Sequence, residues 1–206
     1  MQVTLHDIAK QYNRRYLFKN VNFVFSSNHT YGIIGENGSG KSTLLKIIAS
    51  YLLPSKGMVI YTLHNQNLDA GVLHKHLSIA APYMQLPLDL ELDVFLNIHY
   101  TLKPSLLVQN IDDWMECCNL TEHRRKKIGE FSSGMIQRLK IGLAFFSDAS
   151  LILLDEPASN LDQINTDWYQ NMLQKFHKQK TILICTNHPS MESPVYDEII
   201  EIKQWS

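Results

Sequence analysis

The chain has 206 residues, 45% hydrophobic and 19% charged, with a formal net charge of −1. That length suffices for one sizeable domain, or a domain carrying an inserted subdomain, and the composition is too apolar for a disordered chain. The near-neutral balance argues against a nucleic-acid partner, which calls for a basic excess; the single basic run, His123-Arg124-Arg125-Lys126-Lys127, reads as a solvated loop or helix end.

Along the chain, Met1–Asp7 lacks the charged start and apolar core of a signal peptide. Val3-Thr4-Leu5 and Val21-Asn22-Phe23-Val24-Phe25 alternate or cluster as strands. A short apolar strand over 31–34 leads into a glycine-rich loop and a helix over about 41–51. Pro54-Ser55-Lys56-Gly57 is a turn signal before a strand at Met58-Val59-Ile60-Tyr61. Leu77-Ser78-Ile79-Ala80-Ala81 reads as a buried strand ended by Pro82. The period then becomes helical, with segments near 91–101, 111–118 and 134–146. Leu151–Leu154 is a very apolar strand, followed by a helix near 164–178, a strand over Thr181–Cys185 and a last strand over Glu198–Ile202. Strands alternating with helices imply a mostly parallel α/β core, with the central helical stretch as an insertion at about 86–145. No apolar run approaches the roughly 18–20 residues that span a bilayer. Cys117, Cys118 and Cys185 have neither a disulfide framework nor metal-ligand spacing, and read as reduced cytosolic thiols.

Three segments carry chemistry. Gly35-Glu36-Asn37-Gly38-Ser39-Gly40-Lys41-Ser42-Thr43 has the spacing of a phosphate-binding loop. Its glycines let successive N–H groups curl around a phosphate, Lys41 supplies a compact positive charge, and Ser42 supplies a hydroxyl for Mg2+. The helix starting at Lys41 points the positive end of its dipole at the same anion. Leu151-Ile152-Leu153-Leu154-Asp155-Glu156 sets two carboxylates at the C-terminal end of a buried strand, the edge where open parallel sheets bind ligands. Asp155 there would sit near the Ser42-bound metal, and Glu156 would act on an attacking water. In Phe131-Ser132-Ser133-Gly134-Met135-Ile136-Gln137-Arg138-Leu139, a serine caps a helix whose start is either a second anion site or simply a well-capped end.

Taken in order, these motifs resemble the ATP-binding cassette (ABC) ATPases. The phosphate loop, the signature-like FSSGM, the acidic strand LILLDEP and Ala158-Ser159-Asn160-Leu161-Asp162 follow one another as they do in that family, nearly end to end. The resemblance implies a single ABC ATPase domain over 1–206: a P-loop core with an N-terminal antiparallel β portion and an inserted helical subdomain. It implies ATP and Mg2+ as cofactors. Tyr12, with Tyr16 as a second candidate, would stack on adenine. Gly35, Asn37, Gly38, Ser39, Gly40, Lys41, Ser42 and Thr43 would hold the phosphates. Ser42, Gln85 and Asp155 would serve the metal, and Glu156, Gln85 and His188 the chemistry, His188 by touching the γ-phosphate. Ser132 and Gly134 would cover ATP held by another copy, and Asp162 would speak across that dimer. Two residues depart from the family signature: Ser133 stands where a glycine is usual and Met135 where a glutamine is usual. With one set of motifs, the chain is expected to form a homodimer or heterodimer on ATP and to drive a separate transmembrane permease from the cytoplasmic face. Leu86, Leu88, Leu90 and Leu92, apolar at alternate positions, either face that partner or pack inward. A soluble cassette acting on a protein or nucleic-acid assembly is the alternative. A small-molecule kinase is a third reading that leaves the signature-like segment unexplained.

Overall fold

Strands β1 (Gln2–Tyr12) and β2 (Arg15–Phe25) form a hairpin in a computed structural model that describes residues 1–103, 110–159, 161–187, 189–191 and 195–205. The hairpin turns on Asn13 and Arg14, both at positive φ, as a tight two-residue hairpin loop requires. β1 also pairs antiparallel with β4 (Lys56–Leu63), and with β5 (Gln66–Asn67) they make a four-stranded sheet in the order β2-β1-β4-β5. β1 is much longer than its apolar core suggests. Register shifts on either side of Asp7, itself at φ 50°, absorb the break in alternation that hides the strand in the sequence.

The second sheet is wholly parallel, in the order β6-β7-β8-β3-β9, with β3 Thr30–Ile34, β6 Leu77–Ala80, β7 Leu151–Asp155, β8 Thr181–Thr186 and β9 Glu198–Glu201. The expected α/β class and antiparallel N-terminal portion are both present. Helix α1 (Lys41–Ile48) shares one core with both sheets: Leu44, Leu45 and Ile48 lie with Val3, Phe18 and Phe25 on one side and Leu151, Leu153 and Leu183 on the other. α1 stops at Ile48, a turn earlier than its apolar run suggests. Ser50 turns left-handed, Tyr51 N–H donates to Lys46 O and Ser50 N–H to Ile47 O, which closes the helix end. A four-residue helix, α2 (Leu73–His76), leads into β6.

Helices α3 (Leu92–Leu102), α4 (Ile111–Cys117) and α5 (Ser133–Phe145) follow in the central stretch, and α6 (Gln163–Phe176) lies between β7 and β8. They build a second core on the opposite face of the parallel sheet: Ile152, Leu154, Ile182 and Ile184 meet Leu139, Phe145, Tyr169, Leu173 and Phe176. Adjacent residues of β7 thus serve opposite cores, which is why the strand reads as a continuous apolar run. α4 and α5 approach so closely that a Cβ on Gly142 would lie 2.4 Å from Cys118 Sγ. Burial raises the pKa of the Cys118 and Cys185 thiols, leaving them unreactive. The basic run 123–127 lies in the loop between α4 and α5, where Arg124 pairs with Asp112.

Candidate functional site

The sheet register gathers the site. Ile34 is opposite Thr186, and Asp155 is opposite Cys185. The residues that leave the C-terminal ends of β3, β8 and β7 therefore emerge side by side: the glycine loop, Asn187 and Glu156. Gly40 ends the loop at φ 106° and serves as N-cap of α1 with no side-chain cap, so the first N–H groups of the helix remain available to an anion. A Cβ at Gly40 would stand 2.9 Å from Leu17, strained in both backbone and space. Leu17, Asn37, Lys41, Thr43 and Glu156 are among the walls of a cavity of about 200 Å³. Ser39 Oγ is buried against the loop without a hydrogen-bond partner, a donor poised for phosphate oxygen.

Lys41 is 5% exposed and held on all sides. Its ammonium donates to Gly35 O at 2.7 Å, Glu36 O at 3.2 Å and Asn187 Oδ1 at 2.6 Å, and lies 3.7 Å from Glu156 Oε1. Glu156 itself is left-handed at φ 48°. Its N–H donates to Cys185 O at 2.8 Å, and Ser159 Oγ donates to its carbonyl at 2.8 Å. Such a conformation costs a non-glycine residue about 1–3 kcal/mol and persists only where neighbours enforce it. Gln137 of α5, buried, adds a further clamp by donating to Pro157 O at 2.7 Å.

Asp155 is 2% exposed and bonded to the Ser42 hydroxyl, with Oδ1 unpartnered. Burial pushes its pKa up, reinforced by the charge of Glu156 and opposed by the Ser42 bond, Lys41 and Lys46. A buried carboxylate with a free oxygen beside a serine hydroxyl is suited to a hard divalent cation. Tyr83 closes this side: Lys46 Nζ lies 4.0 Å over its ring, and burial, with Asp155 nearby, drives its phenol pKa well up.

The family model described as ABC transporter matches residues 18–159. The chain belongs to the ABC transporter family. Human glucosylceramide transporter ABCA12 is 26% identical over 210 residues, covering 98% of this chain and 8% of that protein. The uncharacterized ABC transporter ATP-binding protein YybJ of Bacillus subtilis is 27% identical, covering 88% of this chain and 83% of its own length. The zinc import ATP-binding protein ZnuC of Pasteurella multocida is 28% identical, over 90% and 66%. The chain thus spans a small fraction of the first relative and most of the second. Two solved structures share the fold. An ATP-binding subunit of an ABC transporter superposes with TM-score 0.84 at 21% identity, over 98% of this chain and 85% of its own. A nucleotide-free ATP-binding cassette gives 0.75 at 20%, over 98% and 88%. As an ABC ATPase, the cassette binds and hydrolyses ATP.

The remaining expected site residues of the cassette are dispersed. Tyr12 ends β1 half-exposed, with Lys10 Nζ 5.1 Å from its ring. Tyr16 is also exposed, and Leu17 is the residue of β2 that lines the loop cavity. Gln85 is exposed on a different cavity of about 480 Å³, beside Leu77, Phe95, Lys103 and Lys140, whereas Tyr83 is the residue of that segment near Asp155. Ser132 is the N-cap of α5, its Oγ accepting from Met135 N–H at 3.3 Å, and Ser132 and Ser133 are exposed. Asp162 caps α6 by accepting from Asn165 N–H at 2.9 Å. His188 and Asn160 lie outside the described residues. The four leucines divide: the stretch is bonded to the loop before α5, Ile128 N–H to Leu90 O and Gly129 N–H to Leu88 O, which buries Leu92 and leaves Leu88 exposed. Sequence reasoning missed Asn187, Gln137 and Tyr83.

Proposed function

We propose that this cassette is the motor subunit of a transporter. Two copies, or this chain and a related one, close around ATP and drive a separate membrane-spanning permease at the cytoplasmic face. The observation that carries the reading is the split arrangement: Lys41, Ser42, Asp155 and Glu156 converge at one sheet edge, while Ser132 and Ser133 stand exposed at the start of α5. The loop from Gly35 to Thr43 holds the phosphates, Ser132 and Gly134 of one copy cover the ATP of the other, and Asp162 faces the partner copy. Tyr12 offers its ring to adenine. Glu156 orients or deprotonates the attacking water, and His188 contacts the γ-phosphate. Ser42 and Asp155 would hold Mg2+, which when bound neutralises charge on the outer phosphates; Gln85, on the other cavity, would reach it only if its segment moved. The unpartnered Asp155 Oδ1 supports that fit. ATP contacting both copies favours the closed pair by its differential affinity, and loss of the γ-phosphate lets it open.

Gln85 and the 480 Å³ cavity form the docking region of the permease in this reading. The cavity combines apolar walls (Leu77, Phe95, Leu143) with the Lys103 and Lys140 ammonium groups, so a short amphipathic helix bearing a carboxylate suits it. Val94, Ile98 and Leu102 continue the apolar surface along exposed α3. No helix among the described residues is long and apolar enough to cross a membrane, which is consistent with a separate permease. The whole of 1–206 acts as one domain with its helical subdomain inserted at about 86–145. The transporter names of YybJ and ZnuC support the same reading.

The test is Glu156→Gln with Mg-ATP, followed by light scattering and phosphate release. The variant is expected to bind ATP, lose turnover and accumulate as a dimer. Hydrolysis at the parent rate would remove Glu156 from its role. A monomer that never pairs under ATP would remove the shared-site mechanism.

A further inference from the structure

Asn187 leaves β8 between the phosphate loop and the acidic strand, placed there by the register of β3, β8 and β7. It uses both ends of its amide. Oδ1 accepts from Lys41 Nζ at 2.6 Å, and Nδ2 donates to Asn37 Oδ1 at 2.6 Å. Its backbone N–H donates to Glu156 Oε2 at 3.4 Å, while Lys41 stands 3.7 Å from the other carboxylate oxygen. One residue therefore touches the loop lysine, the loop asparagine and the carboxylate assigned to the water.

We propose that Asn187 is a positioning residue that couples recognition of the terminal phosphate at Lys41 and Asn37 to the placement of Glu156, and that this coupling does not titrate. The inference rests on the ATP-hydrolysing reading of the site. An amide carries its donor and acceptor on separate atoms at every working pH. An imidazole in the same place matches that pattern only while neutral, and its charge changes near pH ~6.5. A phosphate arriving at Lys41 competes with Oδ1 for the ammonium protons. The amide is then released to present Nδ2 to a phosphate oxygen, while its backbone N–H keeps hold of Glu156. Among the described residues, the charged groups around it are Lys41 of α1, Glu36 of the loop, Glu156 beyond β7, and Glu201 and Lys203 at the end of β9. None of these is an imidazole; His188 is its neighbour in sequence.

The experiment measures kcat and KM for Mg-ATP from pH 5.5 to 8.5, together with calorimetric binding of ATP and ADP. Asn187→Ala is expected to lower kcat roughly ten- to a hundredfold with KM changed less than about threefold, and to erase the preference for ATP over ADP. Asn187→His should work at pH 8 and fail below about pH 6.5, where the parent stays level. Asn187→Asp keeps the size and the acceptor but loses the donor and adds a negative charge between Lys41 and Asn37, where the phosphate would arrive. If the alanine variant misfolds, that variant still reports, as a selective loss of ATP binding relative to ADP. Parent turnover with an Asn187→Ala variant of unchanged kcat and unchanged ATP preference overturns the inference alone. A parent profile already falling near pH 6.5, and levelled by His188→Ala, overturns it in favour of His188. Absence of ATP binding by the parent sinks the functional reading, and the inference with it.

Discussion

Gln137 offers a direct test of how α5 holds Glu156, the carboxylate proposed to act on the attacking water. Its side chain is buried, and its amide donates to Pro157 O at 2.7 Å, with a longer contact of 3.5 Å to Glu156 O. Gln137→Leu keeps the volume and leaves the Pro157 carbonyl without its donor. An unsatisfied buried carbonyl costs about 1–3 kcal/mol. In a domain of this size ~2 kcal/mol lowers Tm by about 4–8 °C. The effect on turnover should exceed the effect on stability. Glu156 sits at φ 48°, a conformation enforced by Cys185, Ser159 and this clamp on the next residue. A displacement of ~1 Å at a catalytic group costs on the order of a hundredfold. The expected phenotype is therefore kcat reduced about ten- to a hundredfold, with KM for ATP within about threefold of the parent. Steady-state phosphate release and thermal unfolding measure the two effects on the same preparation. A lowered Tm with parental kcat would show that Gln137 braces the fold but not Glu156. An unchanged Tm and kcat would refute the argument entirely.

Three further outcomes are expected. Gly40→Ala forces a side chain into a φ of 106° and against Leu17, so calorimetry should find ATP binding lost while the circular dichroism of the chain is retained. Burial lowers the Lys180 pKa to about 8, although its ammonium donates to Ser147 O and Ala149 O. Between about pH 8 and 10.5 the unfolded chain then holds a proton that the folded one lacks, so this group adds stability as pH rises, by at most ~1.4 kcal/mol per pH unit. Urea unfolding of the parent and Lys180→Met should accordingly show the parent gaining on the variant from pH 7 to pH 9.5; a constant difference would contradict the assignment. Finally, if ATP is shared between copies, Lys41→Ala and Ser132→Arg, each inactive alone, should regain activity when mixed, because one mixed dimer site unites an intact loop with an intact signature. No recovery at any ratio would place the complete site within one chain.

Much of this protein is legible in its sequence because the physics there is local. A loop that must curl around phosphate requires glycines at set spacings, so Gly35 to Thr43 identifies itself. β7 is buried on both faces and must be apolar throughout, so Leu151–Leu154 followed by two acids reads as a strand end at a binding edge. The alternation of such strands with helices is enough for the parallel α/β class, and the order of motifs for the family.

Other features depend on contacts between residues far apart in the chain. Asn187 is one polar residue among many until the pairing of β8 with β3 and β7 sets it between Lys41 and Glu156. Gln137 and Lys140 look like ordinary polar positions on a helix, yet they are buried because their partners are backbone carbonyls of Pro157, Ala81 and Pro82. Backbone acceptors carry no signature in the amino-acid code, so nothing in the sequence announces them. The leucines at 86–92 show the same limit, since their sorting into core and surface follows from pairing with the loop before α5. The sequence by itself determined the chemistry of the phosphate loop and the acidic strand. The tertiary structure decided which neighbours hold that chemistry in place, because register and burial are properties of the assembled sheet and not of any one segment.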